Sequence, residues 1–567
     1  MRHFVFLFLF LTYITSVAQE IPALLKAKYN QSYPYNLSCP DNSVTGCGPT
    51  AIAEILNFYK QPAHGFGKAN LILDLDTIEV DMESIIFDWD NILDSYPNNG
   101  FSELEAKSIA DLMYACGVAM DVNYGSSTSV QNNAWMLWGL HHNLHLSPDS
   151  RYLHRQHYST AEWLEIIDKQ LRDGHPVFYR GTWLYGNSRA DHMFAIDGLD
   201  DNGNYHVNFG HGGLNDKFCN INVLNQTGEF PGGKGVCYNA SQAMVINCYP
   251  TPDFDDYPMQ ACISEEAIIL NNDINLNNIE IELGDTFTLS CRLRNYANEK
   301  ANISFGWALI KDNELLSILG QGKYSLSRGY TFKEASHRTI KLPKDLNDGD
   351  YKLILYSKSD IEPEWKEVWK DAATEVNVQV RGGIAAVTIP DNHQLDPCLF
   401  LAEPISEIEN EYSKTTPGRL FAMTISNNTT NNFQNKIRLD IEVEDGQEYS
   451  YETILPVFSQ TSIPFHVLLP KAAINLQDKA IKSLKAYYYY DIDKKYVELT
   501  TSDPTLSVDE NIMEECSGVV EVYSISGILL KKLNANEIVT EYGNFLSNLP
   551  HGIYVIKEGT KTRKIVK

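Results

Sequence analysis

Cys47, His192 and Asn208 are the residues of this sequence whose types and order fit nucleophilic acyl transfer. Cys47 lies in the turn 45–51, which contains glycine and proline and leads directly into a segment with apolar residues at helical spacing. A thiol at the start of a helix experiences the positive end of the helix dipole, which favours the nucleophilic thiolate. A histidine can accept the thiol proton, and an asparagine can hold the imidazole in the required tautomer. The three residues therefore indicate a cysteine nucleophile with two supporting groups.

Structural roles for the same residues remain open at this point. The sequence has ten cysteines, an even number that permits complete pairing, and Cys39 is close enough in sequence to pair with Cys47. His192 taken alone is typical of a buried structural histidine. The cysteines are too widely spread for a dense disulfide framework. Because no Cys/His grouping has zinc spacing, we expect neither a metal site nor a cofactor.

The elements that must position these residues lie within 19–250, where helical patterns precede strand patterns. Helices are predicted over Thr50–Lys60, Ser102–Cys116, Gln131–Leu144 and Thr160–Arg172. Strands are predicted over Pro176–Gly181, Met193–Leu199, Tyr205–Phe209 and Ala243–Cys248. This order indicates an α+β domain with an antiparallel sheet. The turn at 200–204 would join two of these strands and bring His192 beside Asn208.

Several segments of this domain resemble the streptopain family of papain-like cysteine peptidases. The resembling segments follow one another in the family's order: Tyr29–Asn36, Thr45–Ala51, Asp90–Leu93, Cys116–Gly125, Pro176–Gly181, His192–Gly198, Tyr205–Gly213 and Ala243–Ile246. A collinear match of this kind is more specific than any single motif. The resemblance implies a papain-like domain over 19–250 that hydrolyses peptide bonds through an acyl-enzyme.

The resemblance also implies a role for each matching residue. Catalytic roles fall on Cys47 as nucleophile, His192 as general base and acid, Asn208 as the group orienting the imidazole, and Gln31 as a side-chain donor of the oxyanion hole. Donors aimed at the developing oxyanion commonly lower the barrier by about 3 kcal/mol. Substrate contacts are expected at Gly48, Phe209 and His211.

The sequence departs from the family pattern around the histidine. The family's Asn-Trp-Gly-Trp-Gly-Gly is Asn208–Gly213 here, with Phe209 and His211 in place of the tryptophans. His211 adds a titratable group, and Asp191 is expected to raise the pKa of the adjacent His192. The family's glycine-rich loop is reduced to 230–235. These changes keep one alternative open, a weakened or inactive peptidase fold that serves as a surface adhesin or binding protein. Acyl transfer to an amine ranks lower.

The N-terminus has the pattern of a secretory signal peptide at 1–18, with a basic start, an apolar run and small residues before Gln19. Few residues separate this signal from Gln31, so we expect no N-terminal pro-domain. Latency would then depend on a separate proteinaceous inhibitor or on the C-terminal modules. The apolar run is too short for a membrane anchor, and no later stretch is long enough to span a membrane.

The formal net charge of −27 argues against nucleic acid or an anionic lipid surface as a partner. Protein or peptide substrates and a monomeric state are expected. After a linker at 251–261, short alternating strands predict two β-sandwich modules, 262–382 and 396–508, which we interpret as immunoglobulin-like.

The last module, 511–567, is predicted to be a small all-β domain. Its strand and glycine pattern resembles the C-terminal sorting domain of the type IX secretion system of Bacteroidetes. That resemblance implies that the type IX secretion machinery carries the protein through the outer membrane. The protein would then be secreted or attached to the cell surface.

Overall fold

The computed structural model describes residues 20–566 apart from a set of gaps. The gaps are 75, 98–99, 125–128, 131–132, 156–157, 186–187, 223, 225–237, 252–261, 265–268, 272–274, 277, 296–298, 329, 331–335, 369–374, 389–398, 410–417, 430–431, 471–478, 491–494, 502–519, 525–528, 534–552 and 559–560. The predicted signal peptide at 1–18 and the predicted glycine-rich loop at 230–235 lie outside the described residues. Most of the predicted linker at 251–261 and parts of 511–567 also lie outside them.

The described part of the first domain contains four α-helices, in the places that the sequence predicts. They are α1 (Cys47–Tyr59), α2 (Glu103–Ala119), α3 (Asn133–Leu144) and α4 (Thr160–Arg172). Capping boxes begin α2 and α4, with Ser102 and Ser159 as the N-cap residues. Helix α1 begins at Cys47, earlier than the predicted Thr50, because a proline is tolerated in the first turn of a helix.

Two sheets complete the described part of the first domain. The smaller has the order β2-β1-β3-β4 and consists of β1 (Lys68–Leu73), β2 (Asp76–Asp81), β3 (Val122–Asn123) and β4 (Ser129–Val130). The larger has the order β5-β10-β6-β7-β8-β9 and consists of β5 (Arg151–His154), β6 (Val177–Tyr185), β7 (Ser188–Leu199), β8 (Tyr205–Asn208), β9 (Lys217–Cys219) and β10 (Ala240–Ile246). All pairs of the larger sheet are antiparallel, as an α+β domain predicts.

Helices cover both faces of the larger sheet. Ala195 of β7 packs in a core shared with α1, α2 and α3. Its neighbours Phe194 and Ile196 pack in a second core with Trp163 and Ile167 of α4. This division follows from the alternation of side chains along a strand. The sheet therefore holds α1, and with it Cys47, in a fixed position against β7.

In the second module, predicted at 262–382, the described residues form two larger sheets and a strand pair. Its strands are β11 (Cys262–Ser264), β12 (Ile269–Asn271), β13 (Asn275–Leu276), β14 (Asn278–Glu282), β15 (Thr286–Cys291), β16 (Leu293–Asn295), β17 (Ala301–Lys311), β18 (Glu314–Leu326), β19 (Ser336–Lys341), β20 (Gly349–Lys358), β21 (Lys366–Glu367), β22 (Val376–Arg381) and β23 (Ile384–Thr388). The sheet orders are β13-β12-β15-β19 and β14-β23-β22-β20-β17-β18, with β21 beside β20 and β11 paired with β16. Residue 382 lies in the turn between β22 and β23, so the strands continue past the predicted boundary.

The third module, predicted at 396–508, has seven described strands in two sheets. They are β24 (Leu399–Ile408), β25 (Gly418–Asn427), β26 (Phe433–Val443), β27 (Glu448–Val457), β28 (Thr461–Pro470), β29 (Ile481–Tyr490) and β30 (Lys495–Leu499). The sheet orders are β24-β25-β28 and β27-β26-β29-β30, and both sheets contribute to one buried core. An immunoglobulin-like topology stays a prediction for both modules.

The last sheet of the chain has four described strands in the order β32-β31-β33-β34. They are β31 (Val520–Ser524), β32 (Leu529–Leu533), β33 (Ile553–Glu558) and β34 (Lys561–Val566). Its identity as a sorting domain stays a prediction. Among the described residues, none of the helices has the length and apolar composition needed to cross a membrane.

Candidate active site

Cys47 is the first residue of α1, and the turn before it is tightly fixed. Gly46 has φ +91°, a conformation that glycine adopts without strain. Its carbonyl oxygen accepts hydrogen bonds from the backbone N–H and the hydroxyl of Thr50, at 3.3 and 2.9 Å. Cys39 and Cys47 are both free thiols in the structure, so the alternative of a disulfide between them is not adopted.

The environment of the Cys47 thiol raises its pKa, contrary to the expectation from the helix dipole. Burial is the largest influence, and the charge of Asp191 acts in the same direction. The backbone N–H groups of Met193 and Gly48 donate to the sulfur and lower the pKa, but they do not offset the burial. The sequence reveals the local dipole, whereas the desolvation depends on what packs around the thiol.

His192 lies on β7, is buried, and is held by a backbone carbonyl. Its Nε2 lies 3.0 Å from the carbonyl oxygen of Phe209. Because a carbonyl can only accept, Nε2 carries the proton and Nδ1 is left as the base. Burial, together with the smaller influence of the neighbouring His211, lowers the pKa of His192 to about 3, while the Phe209 carbonyl acts in the opposite direction.

Asn208 does not hydrogen-bond to the imidazole of His192, although the resemblance to the streptopain family implied that it orients the ring. Its Nδ2 donates to the carbonyl oxygen of Ala27 at 2.8 Å, and its Oδ1 accepts from the N–H of Gly210 at 3.1 Å. The peptide of Phe209 lies between these two bonds, and its N–H donates to Asp216 at 3.0 Å. Asn208 therefore positions the loop whose carbonyl faces His192, rather than the ring itself. Spacing in a sequence cannot distinguish these two arrangements.

Gln31 lies on the segment between the Cys47 turn and the loop after β8. Its carbonyl oxygen accepts from the N–H of Thr45 at 3.0 Å, and the preceding Tyr29 carbonyl accepts from Gly212 at 2.6 Å. Gln31 is half-buried. The fold thus brings Gln31 to the turn that precedes Cys47, and the oxyanion role of its side chain stays a prediction.

The three predicted substrate contacts differ in accessibility. Phe209 is fully buried, with its ring nearly parallel to that of His192 at 6.4 Å, so it covers the imidazole instead of facing a substrate. Gly48 is also buried, inside the first turn of α1. His211 is half-buried and stacks on His192 at 4.9 Å with an interplanar angle of 18°. Only His211 of the three keeps surface that a substrate could reach.

Asp191 does not raise the pKa of His192, because other groups bind its carboxylate. Arg180 contacts one oxygen at 3.0 Å, and the hydroxyl of Thr182 donates to the other. Both partners lie on β6, and Thr182 is the direct strand partner of Asp191. The expectation from sequence adjacency is therefore wrong, and burial determines the pKa of the imidazole.

Tyr238 is the residue of the site that sequence reasoning missed. It is buried, its ring centroid lies 5.0 Å from that of His192, and the Cys47 charge contributes to raising its pKa. Its backbone lies so close to Gly181 that a Cβ on Gly181 would come within 2.3 Å of the Tyr238 carbonyl oxygen. Tyr238 belongs to no motif in the sequence, so only the fold could reveal it.

A half-buried thiol at a helix start, packed against a strand that carries a histidine, defines a site of the cysteine-peptidase class. Among the described residues, no cluster of three or more His, Cys, Asp and Glu side chains is placed to hold a metal ion.

A model of the Peptidase C10 family matches residues 29–219. The chain is 31% identical to active Prevotella intermedia interpain A cysteine protease, over 40% of this chain and 94% of that chain, with a TM-score of 0.37. It is 29% identical to streptopain of Streptococcus pyogenes over 255 residues, which is 41% of this chain and 63% of streptopain. The thiol protease/hemagglutinin PrtT of Porphyromonas gingivalis is 25% identical over 303 residues, 50% of this chain and 32% of PrtT. The chain belongs to the peptidase C10, or streptopain, family. It spans slightly less than two thirds of the length of the streptopains that it matches.

Proposed function

We propose that the protein is a cysteine endopeptidase that hydrolyses peptide bonds through an acyl-enzyme on Cys47. The observation that carries the proposal is the contact between the start of α1 and β7. The N–H of Met193, the residue directly after His192, donates to the Cys47 sulfur, so the thiol meets the strand that bears the imidazole. Membership of a family that includes thiol proteases supports the same chemistry.

In the proposed reaction, Nδ1 of His192 takes the thiol proton as the sulfur attacks the peptide carbonyl carbon. The imidazolium then gives this proton to the leaving amine, and a thioester remains on Cys47. Water attacks the thioester while His192 accepts one of its protons, which it returns to the departing sulfur. The N–H of Cys47 and the side-chain amide of Gln31 would stabilise the oxyanion formed in both steps.

The electrostatic environment favours a neutral resting pair. The pKa of Cys47 is raised and the pKa of His192 is lowered, so thiol and neutral imidazole coexist near neutral pH. Proton transfer then accompanies the attack instead of preceding it. The Phe209 carbonyl stabilises the imidazolium that forms, because Nε2 donates to it throughout.

Labelling of Cys47 by an epoxide inhibitor tests this proposal. The full chain is treated with the inhibitor under reducing conditions, the adduct is mapped by mass spectrometry, and casein cleavage is measured in parallel. We expect one adduct on Cys47 and loss of cleavage in Cys47→Ala. Buried Cys116 provides the matched control, because Cys116→Ala should keep both the label and the activity. Absence of both labelling and cleavage in the wild-type protein would refute the proposal.

We also propose that the protein acts outside the cell on protein or peptide substrates. The sequence pattern at 1–18 supports export, and the pattern at 511–567 supports use of the type IX secretion machinery. The final location would be the medium or the outer-membrane surface, and a separate proteinaceous inhibitor would control the enzyme. Mass spectrometry of the exported protein tests the route. Termini that retain both the N-terminal segment and the C-terminal domain would contradict it.

A further inference from the structure

The third module, 396–508, is joined to the peptidase domain by buried polar contacts. Asn432 Nδ2 donates to the carbonyl oxygen of Tyr158 at 3.0 Å, and the N–H of Thr160 donates to the Ser459 hydroxyl at 2.9 Å. The hydroxyl of Thr160 also donates to the Ser459 carbonyl. Asn432, Thr160 and Ser459 are all buried. Buried polar groups are costly when their partners separate, so these contacts specify one relative position of the two domains.

Two further contacts extend this interface, one directly after β5 and one on β6. The buried guanidinium of Arg155 lies 4.5 Å above the ring of Phe458. Trp183 of β6 packs against Leu420 and Leu468 of the third module. Trp183 lies two residues after Gly181, which is the strand partner of His192. The interface therefore reaches the part of the sheet that carries the imidazole.

The contact nearest the site involves Asn239. This buried residue donates from Nδ2 to the carbonyl oxygen of Pro464 in β28 at 3.3 Å. Its neighbour Tyr238 lies against His192, and the Gly181 backbone leaves room for it there. Tyr238 therefore lies against His192 and the β6 backbone of its own domain, and the next residue, Asn239, is hydrogen-bonded to β28 of the third module.

We propose that the third module is a working part of the active site, and that its contact with Asn239 fixes Tyr238 as a positioning residue against His192. This inference rests on the proposed peptidase function and adds a structural requirement to it. The ring of Tyr238 excludes water from one side of the imidazole and holds it in line with the thiol. The third module, which lies outside the residues that the family model matches, thus determines whether His192 is positioned to act as the base.

The full-length Asn239→Ala variant tests this inference, with Asn427→Ala as the matched control. Asn427 also donates from a buried Nδ2 to a backbone carbonyl, that of Val457 at 3.0 Å, but within the third module. We expect Asn239→Ala to lose about tenfold in kcat/KM, mainly in kcat, because a small misplacement of a reacting group has a large effect on rate. Asn427→Ala should keep the wild-type kcat/KM even where its melting temperature falls.

The pH dependence separates positioning from general destabilisation. Better solvation of His192 would raise its pKa, so the acid limb of kcat/KM should move to higher pH in Asn239→Ala and in Tyr238→Leu, but not in Asn427→Ala. Among the described residues, the titratable rings that lie against His192 are those of His211 and Tyr238, and the Cys47 thiol is its proposed reaction partner; both Asn variants keep all three. Leu468→Ala, which loosens the interface from the side of the third module, should move the limb in the same direction and serves where Asn239→Ala does not fold.

The outcomes distinguish this inference from the proposed function. If the wild-type protein neither cleaves peptides nor reacts with the epoxide at Cys47, the peptidase proposal fails. The reaction of Cys47 with a pyridyl disulfide then still reports how each variant changes the pH dependence of the thiol. If the wild-type protein is active and the folded Asn239→Ala or Leu468→Ala proteins match Asn427→Ala in kcat/KM and acid limb, the positioning role is overturned.

Discussion

Replacement of His211 by phenylalanine should move the acid limb of activity to higher pH. His211 stacks on His192 with ring centroids 4.9 Å apart, and its charge lowers the pKa of His192. Since this influence requires a charged His211, His211 takes up its proton first on acidification. Phenylalanine keeps a flat ring at the same place but carries no charge. The repulsion that hinders protonation of His192 is then removed.

The distance between the two rings gives the size of the effect. Two unit charges separated by 4.9 Å repel by about 3.4 kcal/mol at an effective dielectric constant of about 20, and by about 0.85 kcal/mol in bulk water. One pKa unit corresponds to about 1.36 kcal/mol, so the pKa of His192 should rise by about 0.6 to 2.5 units. A half-buried His211 lies between these limits, and we expect a shift of about one unit.

The assay is the pH profile of kcat/KM for a fluorogenic peptide, with the reaction of Cys47 with a pyridyl disulfide as a second probe at acid pH. His337→Phe is the matched control, because it makes the same substitution on the exposed side of β19 in another domain. An acid limb that stays in place or moves to lower pH in His211→Phe would refute the electrostatic coupling of the two rings.

Three other substitutions test packing, two of them at the site and one on α3. Asn208→Ala should lower kcat by about 100-fold and destabilise the fold by about 1–3 kcal/mol, because the Ala27 carbonyl and the Gly210 N–H lose a buried partner. Steady-state kinetics measures the first effect and urea unfolding the second. An unchanged kcat would contradict the role of Asn208 in positioning the loop. Gly181→Ala should destabilise by about 1–3 kcal/mol and move the acid limb to higher pH, because its Cβ would displace Tyr238. A thermal melt and a pH profile check this, and a wild-type limb would exclude such a displacement. His141→Phe should reduce the acid sensitivity of folding. Burial holds the pKa of His141 well below 6.5, so its contribution to stability is present above that pH and is lost by about 1.4 kcal/mol per unit as the pH falls below it. Denaturant titrations at several pH values give the slope of the free energy of unfolding against pH. A slope as steep as that of the wild type would contradict the role of His141.

The sequence allowed the local features of the fold to be predicted and left out those that depend on packing. Helix α4 begins at Thr160 as predicted, since its apolar periodicity starts directly after a capping residue. Strands β7 and β8 pair as the turn at 200–204 indicated. The raised pKa of Cys47 could not be anticipated, because burial depends on residues distant in sequence.

Two features of the site show the same limit at the level of single atoms. The residue type of Asn208 suggested a bond to the imidazole, but the geometry of the loop directs its side chain to the Ala27 carbonyl and the Gly210 N–H. Tyr238 comes close to His192 only because β6, β7 and β28 of the third module meet there. Neither the bonding partners of Asn208 nor the position of Tyr238 can be recognised from the sequence.

The carbonyl of Phe209 that receives Nε2 of His192 belongs to the main chain. A substitution at position 209 leaves this acceptor in place, because the acceptor does not depend on the side chain. Saturation mutagenesis should therefore find strict dependence at Cys47 and His192, and graded dependence at position 209. The side chain at position 209, which shields the imidazole from water, can therefore vary while the backbone carbonyl that orients the imidazole is kept.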